Sequence, residues 1–116
     1  MIALEGLKEI PFEVKRVYYI YAISPGAVRG LHAHKDLKQL YVCMSGSCDV
    51  YLDDGRQQQT ISLTGPNEAI YFDGQVIWRE ITNFSSGAVL LVLASELYDP
   101  DDYIKDYQSF LTFRGE

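Results

Sequence analysis

The residues best suited to chemistry are two histidines, His32 and His34, separated by Ala33 in the segment RGLHAHK. They are the only two histidines in the 116-residue chain. Because side chains alternate along a strand, both imidazoles are predicted to point to one face and Ala33 to the other. Near neutral pH an imidazole can bind a metal ion, act as a general base, or serve as a hydrogen-bonded structural group. The pair therefore predicts a metal site or an acid–base site, with structural packing as the alternative.

The spacing around the histidines resembles the first metal-binding motif of the cupins. The pattern GX5HXHX4QX6G begins at Gly26, and Gln39 stands where metal-binding cupins have a glutamate ligand. The stretch 65–83, which resembles the second cupin motif, contains no histidine. Two imidazoles and a neutral amide are a poor ligand set for a transition metal, which usually takes three protein ligands in catalytic sites. The sequence therefore predicts no metal and leaves both imidazoles free for acid–base chemistry.

Short runs rich in Val, Ile, Tyr and Phe recur about every ten residues and predict the strands that position this pair. Turn residues such as Pro25-Gly26, Asp54-Gly55 and Asp73-Gly74 separate them, and Asp53-Asp54-Gly55 predicts a hairpin. The pattern indicates one all-β domain over residues 1–116, a cupin-type antiparallel barrel or jelly roll. The predicted strands are 16–23, 38–44, 48–53, 59–63, 69–72, 76–82 and 88–95.

The C-terminal tail changes period and predicts a short helix. Asp99-Pro100-Asp101-Asp102 has the proline and acids typical of a first helical turn. The apolar residues after it, Tyr103, Ile104, Tyr107, Phe110 and Leu111, form a stripe at helical spacing. We expect this helix to pack against the outside of the sheet structure.

Composition narrows the class of protein. A formal net charge of −6 argues against a general nucleic-acid-binding protein, which needs clustered lysines and arginines. No apolar run approaches the roughly 20 residues that cross a bilayer, and the first residues do not have the basic, apolar and small-residue pattern expected of a signal peptide. We expect a cytoplasmic protein in which Cys43 and Cys48 are buried free thiols.

Five segments support a narrower resemblance: VKRVYYIY, RGLHAHK, SGSCDVYLDDG, YFDGQVIWRE and AVLLVLASELYDPDDYIKDY. In this order they resemble the WxcM-like sugar 3,4-ketoisomerases, which act on dTDP-4-keto-6-deoxyglucose, over roughly residues 10 to 112. The resemblance implies a homodimeric cupin that moves the sugar carbonyl from C4 to C3 without a cofactor. It also implies that the product feeds a PLP-dependent aminotransferase making a 3-amino sugar for surface polysaccharide.

The resemblance assigns roles to four residues. It implies that His32 is the base that removes the C3 proton and that Tyr18 moves a proton between the two sugar oxygens. His34 and Arg29 match positions that line the same pocket. By alternation only one face of the VYYIY strand meets the cavity, and the residue types alone do not separate Tyr18 from Tyr19.

The remaining substrate-binding candidates depend on residue type. A diphosphate needs positive partners, and Arg29, Lys35 and Arg79 are the cations nearest the motifs. Trp78 and Tyr71 are predicted either to pack in the sheet structure or to support the sugar or thymine ring. Gln39 is predicted to orient a histidine by a hydrogen bond, and Glu80 is either a supporting carboxylate or a solvated strand charge.

Two other functions remain open at this stage. A non-catalytic cupin that binds a sugar nucleotide would keep the pocket without needing Tyr18 and His32 near one carbon. A metal-dependent cupin enzyme would contain a tightly bound metal ion that tracks activity. A C3/C5 epimerase of the same sugars is a neighbour in chemistry, but its sequence pattern does not resemble this one.

Overall fold

The computed structural model describes residues 1–115, which contain nine strands and one α-helix. The α-helix, α1, spans Tyr107–Arg114. A single 3-10 turn, Pro100–Asp102, precedes the last strand. The strands are β1 (Arg16–Ile20), β2 (Arg29–His34), β3 (Lys38–Ser45), β4 (Cys48–Asp53), β5 (Gln58–Leu63), β6 (Ala69–Asp73), β7 (Trp78–Thr82), β8 (Val89–Ala94) and β9 (Tyr103–Ile104).

The strands form two antiparallel sheets that face each other. The order is β1-β8-β3-β6 in the four-stranded sheet and β5-β4-β7-β2-β9 in the five-stranded sheet. The main hydrophobic core lies between them and takes buried side chains from both, including Tyr41 and Val92 from one sheet and Val50 and Ile81 from the other. The all-β prediction and the jelly-roll arrangement are confirmed, but the sheets do not close into one continuous barrel.

Each sheet also has a covered outer face. The N-terminal segment packs Ile10 and Phe12 against Leu40 and Leu93 on the outside of the four-stranded sheet. Phe110 of α1 packs against the outside of the five-stranded sheet together with three residues of β2, β7 and β9: Ala33, Trp78 and Ile104. The expectation that the C-terminal helix lies outside the sheets is therefore confirmed.

The predicted start of that helix is wrong. Asp99 caps only the 3-10 turn, accepting a hydrogen bond from the Asp101 amide, and the chain then becomes extended. The following strand, β9, pairs with β2, with Ala33 opposite Ile104 and His34 opposite Tyr103. The helix begins at Tyr107, after Asp106 at its N-cap. Backbone pairing with β2 outweighs the local helical signal, as tertiary contacts often outweigh propensity.

Two smaller predictions are confirmed. The hairpin joins β4 to β5, where Gly55 has φ of 96° and its amide donates to the Asp53 carboxylate over 2.8 Å. Cys43 and Cys48 are free and buried. Within residues 1–115, no helix is both long and apolar enough to cross a membrane.

Candidate active site

A β-bulge in β2 brings the candidate residues to one face of the sheet. In a regular strand Arg29 and His32, three residues apart, would point to opposite faces. Here Arg29 lies opposite Ile81 and His32 opposite Arg79, with a register shift between Gly30 and His32. Ile81 belongs to the core between the sheets, so the bulge turns both Arg29 and His32 toward the inner face.

Gly30 makes this bulge possible. Its φ is +85°, a left-handed conformation that side chains with a Cβ adopt only at a cost. A Cβ at this position would also lie 3.1 Å from the Arg79 carbonyl oxygen. The glycine in RGLHAHK is therefore required by the backbone that aims His32.

The two imidazoles and Asp102 form a continuous line of hydrogen bonds. His32 Nδ1 lies 2.8 Å from the Gly30 carbonyl oxygen, and His32 Nε2 lies 3.1 Å from His34 Nε2. The other ring nitrogen of His34, Nδ1, lies 2.8 Å from Asp102 Oδ2. Asp102 is itself held by the Asp36 amide, which donates to Oδ1 over 3.0 Å. All four ring nitrogens therefore have protein partners.

Burial keeps both imidazoles neutral. It lowers the pKa of His32 to about 4 and that of His34 to about 2, and the positive charge of Arg79 adds to both effects. His34 is 1% exposed, whereas His32 is half-buried and keeps part of its surface accessible. Burial also raises the pKa of Asp102. His32 is therefore a neutral imidazole at neutral pH, the form that a general base requires.

Tyr18 faces the same interior, and Tyr19 does not. Tyr18 packs against the core between the sheets, whereas Tyr19 is 62% exposed. Burial is the main cause that raises the pKa of Tyr18, so its phenol stays protonated at neutral pH. Gln39 donates to the Tyr18 hydroxyl over 3.4 Å.

Arg79 provides a buried positive charge beside these groups. Its side chain is fully buried, stacks on the Phe72 ring at 4.0 Å, and donates to Gln39 Oε1 over 2.6 Å and to the Tyr41 hydroxyl over 3.3 Å. Among the salt bridges of residues 1–115, none pairs Arg79 with a carboxylate. Gln39 thus links Tyr18 to Arg79, and the prediction that it contacts a histidine is wrong.

Tyr103 completes the wall of the site. Its ring centroid lies 5.0 Å from that of His32 and 4.5 Å from that of His34. A cleft of about 440 Å³ adjoins this point, and Arg16, Tyr98, Asp102 and Tyr103 are among its lining residues. Tyr103 thus connects the imidazoles, which do not line the cleft themselves, to a space large enough to admit part of a small-molecule ligand.

The sequence pattern of the family described as "FdtA: WxcM-like, C-terminal" matches residues 1–115. The chain belongs to this family. A relative from Aneurinibacillus thermoaerophilus, TDP-4-oxo-6-deoxy-alpha-D-glucose-3,4-oxoisomerase, is 48% identical over 110 residues, which are 95% of this chain and 78% of the relative. The family resemblance found in the sequence is therefore confirmed.

Solved structures agree with this family assignment. A 3,4-ketoisomerase from Helicobacter canadensis is 52% identical, with a TM-score of 0.94 over 100% of this chain and 86% of that one. A histidine-to-asparagine variant of QdtA from Thermoanaerobacterium thermosaccharolyticum, solved with TDP-4-keto-6-deoxyglucose, is 39% identical. Its TM-score is 0.92, and the match covers 97% of this chain and 80% of that chain.

Not all of the predicted site residues lie on the inner face with His32 and His34. The structure brings together His32, His34, Tyr18 and Arg79, with Arg29 exposed at the start of the same strand. The other three candidates, Trp78, Tyr71 and Lys35, lie elsewhere.

Trp78 lies on the outer face of the five-stranded sheet. It is 4% exposed, packs against Phe110 and Tyr107, and donates its indole N–H to Glu80 over 2.9 Å. Trp78 was predicted either to pack in the sheet structure or to support a sugar or thymine ring, and these contacts are those of a packing residue. Glu80 accepts its indole hydrogen bond.

Two further candidates, Tyr71 and Lys35, also lie away from the two histidines. Tyr71 stacks on Phe12 outside the four-stranded sheet, with ring centroids 6.1 Å apart. Lys35 is exposed and lines a shallow depression together with Lys105 and Ser109.

Sequence reasoning missed Asp102 and Tyr103 as site residues. Both were assigned to the start of a helix, where an acid and an aromatic residue have ordinary structural roles. A signal was nevertheless present, because Tyr103-Ile104 also reads as a short alternating strand, with one side chain for each face.

Proposed function

We propose that the protein is a nucleotide-sugar 3,4-ketoisomerase that moves the keto group of TDP-4-keto-6-deoxyglucose from C4 to C3. One observation supports this most directly: a neutral, half-buried imidazole, His32, and a protonated phenol, Tyr18, belong to one interior site beside Tyr103. Interconversion of the two keto sugars needs such a base and such a proton carrier. The activities named for the relatives agree with this proposal.

The first step removes the proton on C3. The C3–H bond breaks, its proton passes to Nε2 of His32, and its electron pair forms the C3–C4 double bond of an enediol. The former C4 carbonyl oxygen gains negative charge as this happens. A positioned general base typically accelerates such a step by about 10²- to 10⁴-fold.

Tyr18 moves the second proton. Its hydroxyl donates to O4 as negative charge develops there and then accepts the proton that O3 loses when the carbonyl forms at C3. His32 returns its proton to C4, so protons balance over the cycle and no oxidant is needed. The buried charge of Arg79 acts on the enediolate through the low-dielectric interior, since its own N–H groups bind Gln39 and Tyr41.

Substrate contacts follow from position. We assign Arg29 to the diphosphate, because it is exposed at the mouth of the inner face, and His34 to the wall behind the reacting carbons. The adjoining cleft has more acidic residues than basic ones, with Asp36, Glu96, Asp99 and Asp102 against Lys15 and Arg16. Its charge suits the neutral hydroxyls of a sugar better than a diphosphate. Lys35, Tyr71 and Trp78 are not assigned a contact.

We further propose a cytoplasmic homodimer, as the family resemblance implies. Val17, Tyr19 and Tyr21 expose 54%, 62% and 64% of their surface along and just beyond the edge strand β1. An apolar edge of this kind is usually covered in a soluble protein, and a second copy of the chain is the covering that we propose. The 3-keto product would then be a substrate for an aminotransferase.

Product analysis tests the activity. The protein is incubated with TDP-4-keto-6-deoxyglucose, and NMR follows the carbonyl and the C4 proton of the sugar. We expect the 3-keto isomer to form with wild-type protein and not with His32→Asn, which keeps a polar side chain but no base. Binding of TDP with no isomerisation by the wild type would instead indicate a non-catalytic sugar-nucleotide-binding protein.

A further inference from the structure

The hydrogen-bonded line from Gly30 through His32 and His34 to Asp102 fixes how many protons it holds. A carbonyl oxygen can only accept, so His32 Nδ1 must carry a proton and donate it to Gly30. The lone pair of a neutral His32 is then on Nε2. The 3.1 Å contact between the two Nε2 atoms is a hydrogen bond only if one further proton lies between them.

The outer contact needs a third proton. His34 Nδ1 and Asp102 Oδ2 are 2.8 Å apart, and one of the two atoms must carry a hydrogen for this contact to be favourable. Two neutral imidazoles and a carboxylate together supply only two protons. A line with a proton in each of its three contacts therefore holds one proton more than two neutral imidazoles and a carboxylate do. Its net charge is zero.

The surroundings favour an arrangement of this proton without separated charges. Burial is the largest cause that lowers the pKa of both imidazoles, and Arg79 adds to both effects. Arg16 further lowers the pKa of His34, and Lys105 that of His32. Burial also raises the pKa of Asp102, with the charges of Asp36 and Asp99 acting in the same direction and backbone hydrogen bonds opposing it. Tyr18 is a neutral phenol, because burial raises its pKa. The outer proton therefore rests toward Asp102, His34 donates its Nε2–H to His32, and both rings stay neutral.

We propose that His32 and His34 act as one base, which holds the proton from C3 in the bond between their Nε2 atoms, with Asp102 as the positioning residue that sets its affinity. This inference rests on the proposed ketoisomerase function. The base form lacks one proton, so that both Nε2 lone pairs face the same gap. The C3 proton enters from the accessible His32 side, the C3–H electron pair passes to the enediolate, and the line becomes neutral and fully bonded. Return of that proton to C4 restores the base form.

Imidazole NMR on the free protein tests the proton count without any turnover. Because the chain has only two histidines, ¹⁵N-histidine labelling gives four ring-nitrogen signals to assign. We expect His32 Nδ1 to be protonated, with a ¹⁵N–¹⁵N coupling across the bond between the Nε2 atoms. On raising the pH, this coupling disappears in one step as a single proton is lost. If both Nε2 atoms lack protons and show no coupling between about pH 5 and 9, the proposal is refuted, whatever the enzyme activity.

The pH profile of a matched pair of variants tests the role of Asp102. Loss of the bridging proton should appear as the acidic limb of kcat/KM. A nearby carboxylate favours the protonated form, so Asp102→Asn should move this limb to lower pH by about one unit or more, together with a lower rate. Asp101→Asn removes the same charge from the exposed neighbouring residue and should leave the limb in place. A lower rate for Asp102→Asn with an unmoved limb would show a merely structural role and overturn the proposal.

Discussion

Replacement of Gly30 by alanine should damage the site through the backbone alone. The φ of +85° costs an alanine about 1–2 kcal/mol relative to glycine, because its Cβ meets the following carbonyl oxygen. In addition, the new Cβ would lie 3.1 Å from the Arg79 carbonyl oxygen, a contact that forces β2 and β7 apart by a few tenths of an ångström. His32 is two residues away and on the same bulge, so its ring must move with the backbone.

The expected result separates stability from activity. Gly87→Ala is the matched control, because Gly87 has φ of 73° and open space where its Cβ would lie. Urea denaturation should show a loss of about 1 kcal/mol for Gly87→Ala and a larger loss for Gly30→Ala. Only Gly30→Ala should lose isomerase activity, by about 10²-fold, the usual cost of misplacing a catalytic group by about 1 Å.

Two outcomes would contradict this reasoning. Equal losses of stability in the two variants would mean that the contact with Arg79 is relieved without strain. Wild-type activity in a folded Gly30→Ala protein would mean that the bulge does not aim His32, and the argument for a shared inner face would fail.

Three further predictions concern single groups. Tyr18→Phe should lower kcat by about 10²-fold or more while Tyr19→Phe keeps wild-type activity, measured by product NMR; equal rates in both would remove Tyr18 from the mechanism. The Tyr107 hydroxyl donates to Asp53 over 2.6 Å, and this bond raises the pKa of Tyr107 from 10.0 to about 12, so the folded state holds its proton more tightly. Its stabilisation should be present below pH 10 and be lost as the pH rises toward 12, and Tyr107→Phe should unfold with a weaker pH dependence over that range; an unchanged slope would contradict this. Finally, exhaustive chelation should leave activity unchanged, as measured on protein purified without a tag; a loss that an added transition metal restores would return the metal-dependent alternative.

Much of the fold could be predicted because its signals are local. Alternating apolar residues and turn-forming glycines predicted seven of the nine strands to within a few residues, from Cys48–Asp53 to Val89–Ala94, but gave no range for β2 or β9. The tail could not be predicted in the same way. Tyr103 and Ile104 fit a helical stripe, and only pairing with His34 and Ala33, about seventy residues earlier, makes them a strand.

The sequence by itself supplied the candidate groups and the family. It showed the histidine pair, an incomplete set of cupin metal ligands, the tyrosine-rich segment VYYIY and the five family segments. The tertiary structure decided which groups meet. It chose Tyr18 over Tyr19, turned Arg79 inward and Trp78 outward, and placed Asp102 behind His34. Alternation along a strand fixes which side chains share a face, but which face becomes the interior depends on the other sheet. The bulge at Gly30 also shifts the alternation by one residue, so that Arg29 and His32 share a face. This shift is a property of the pairing between β2 and β7.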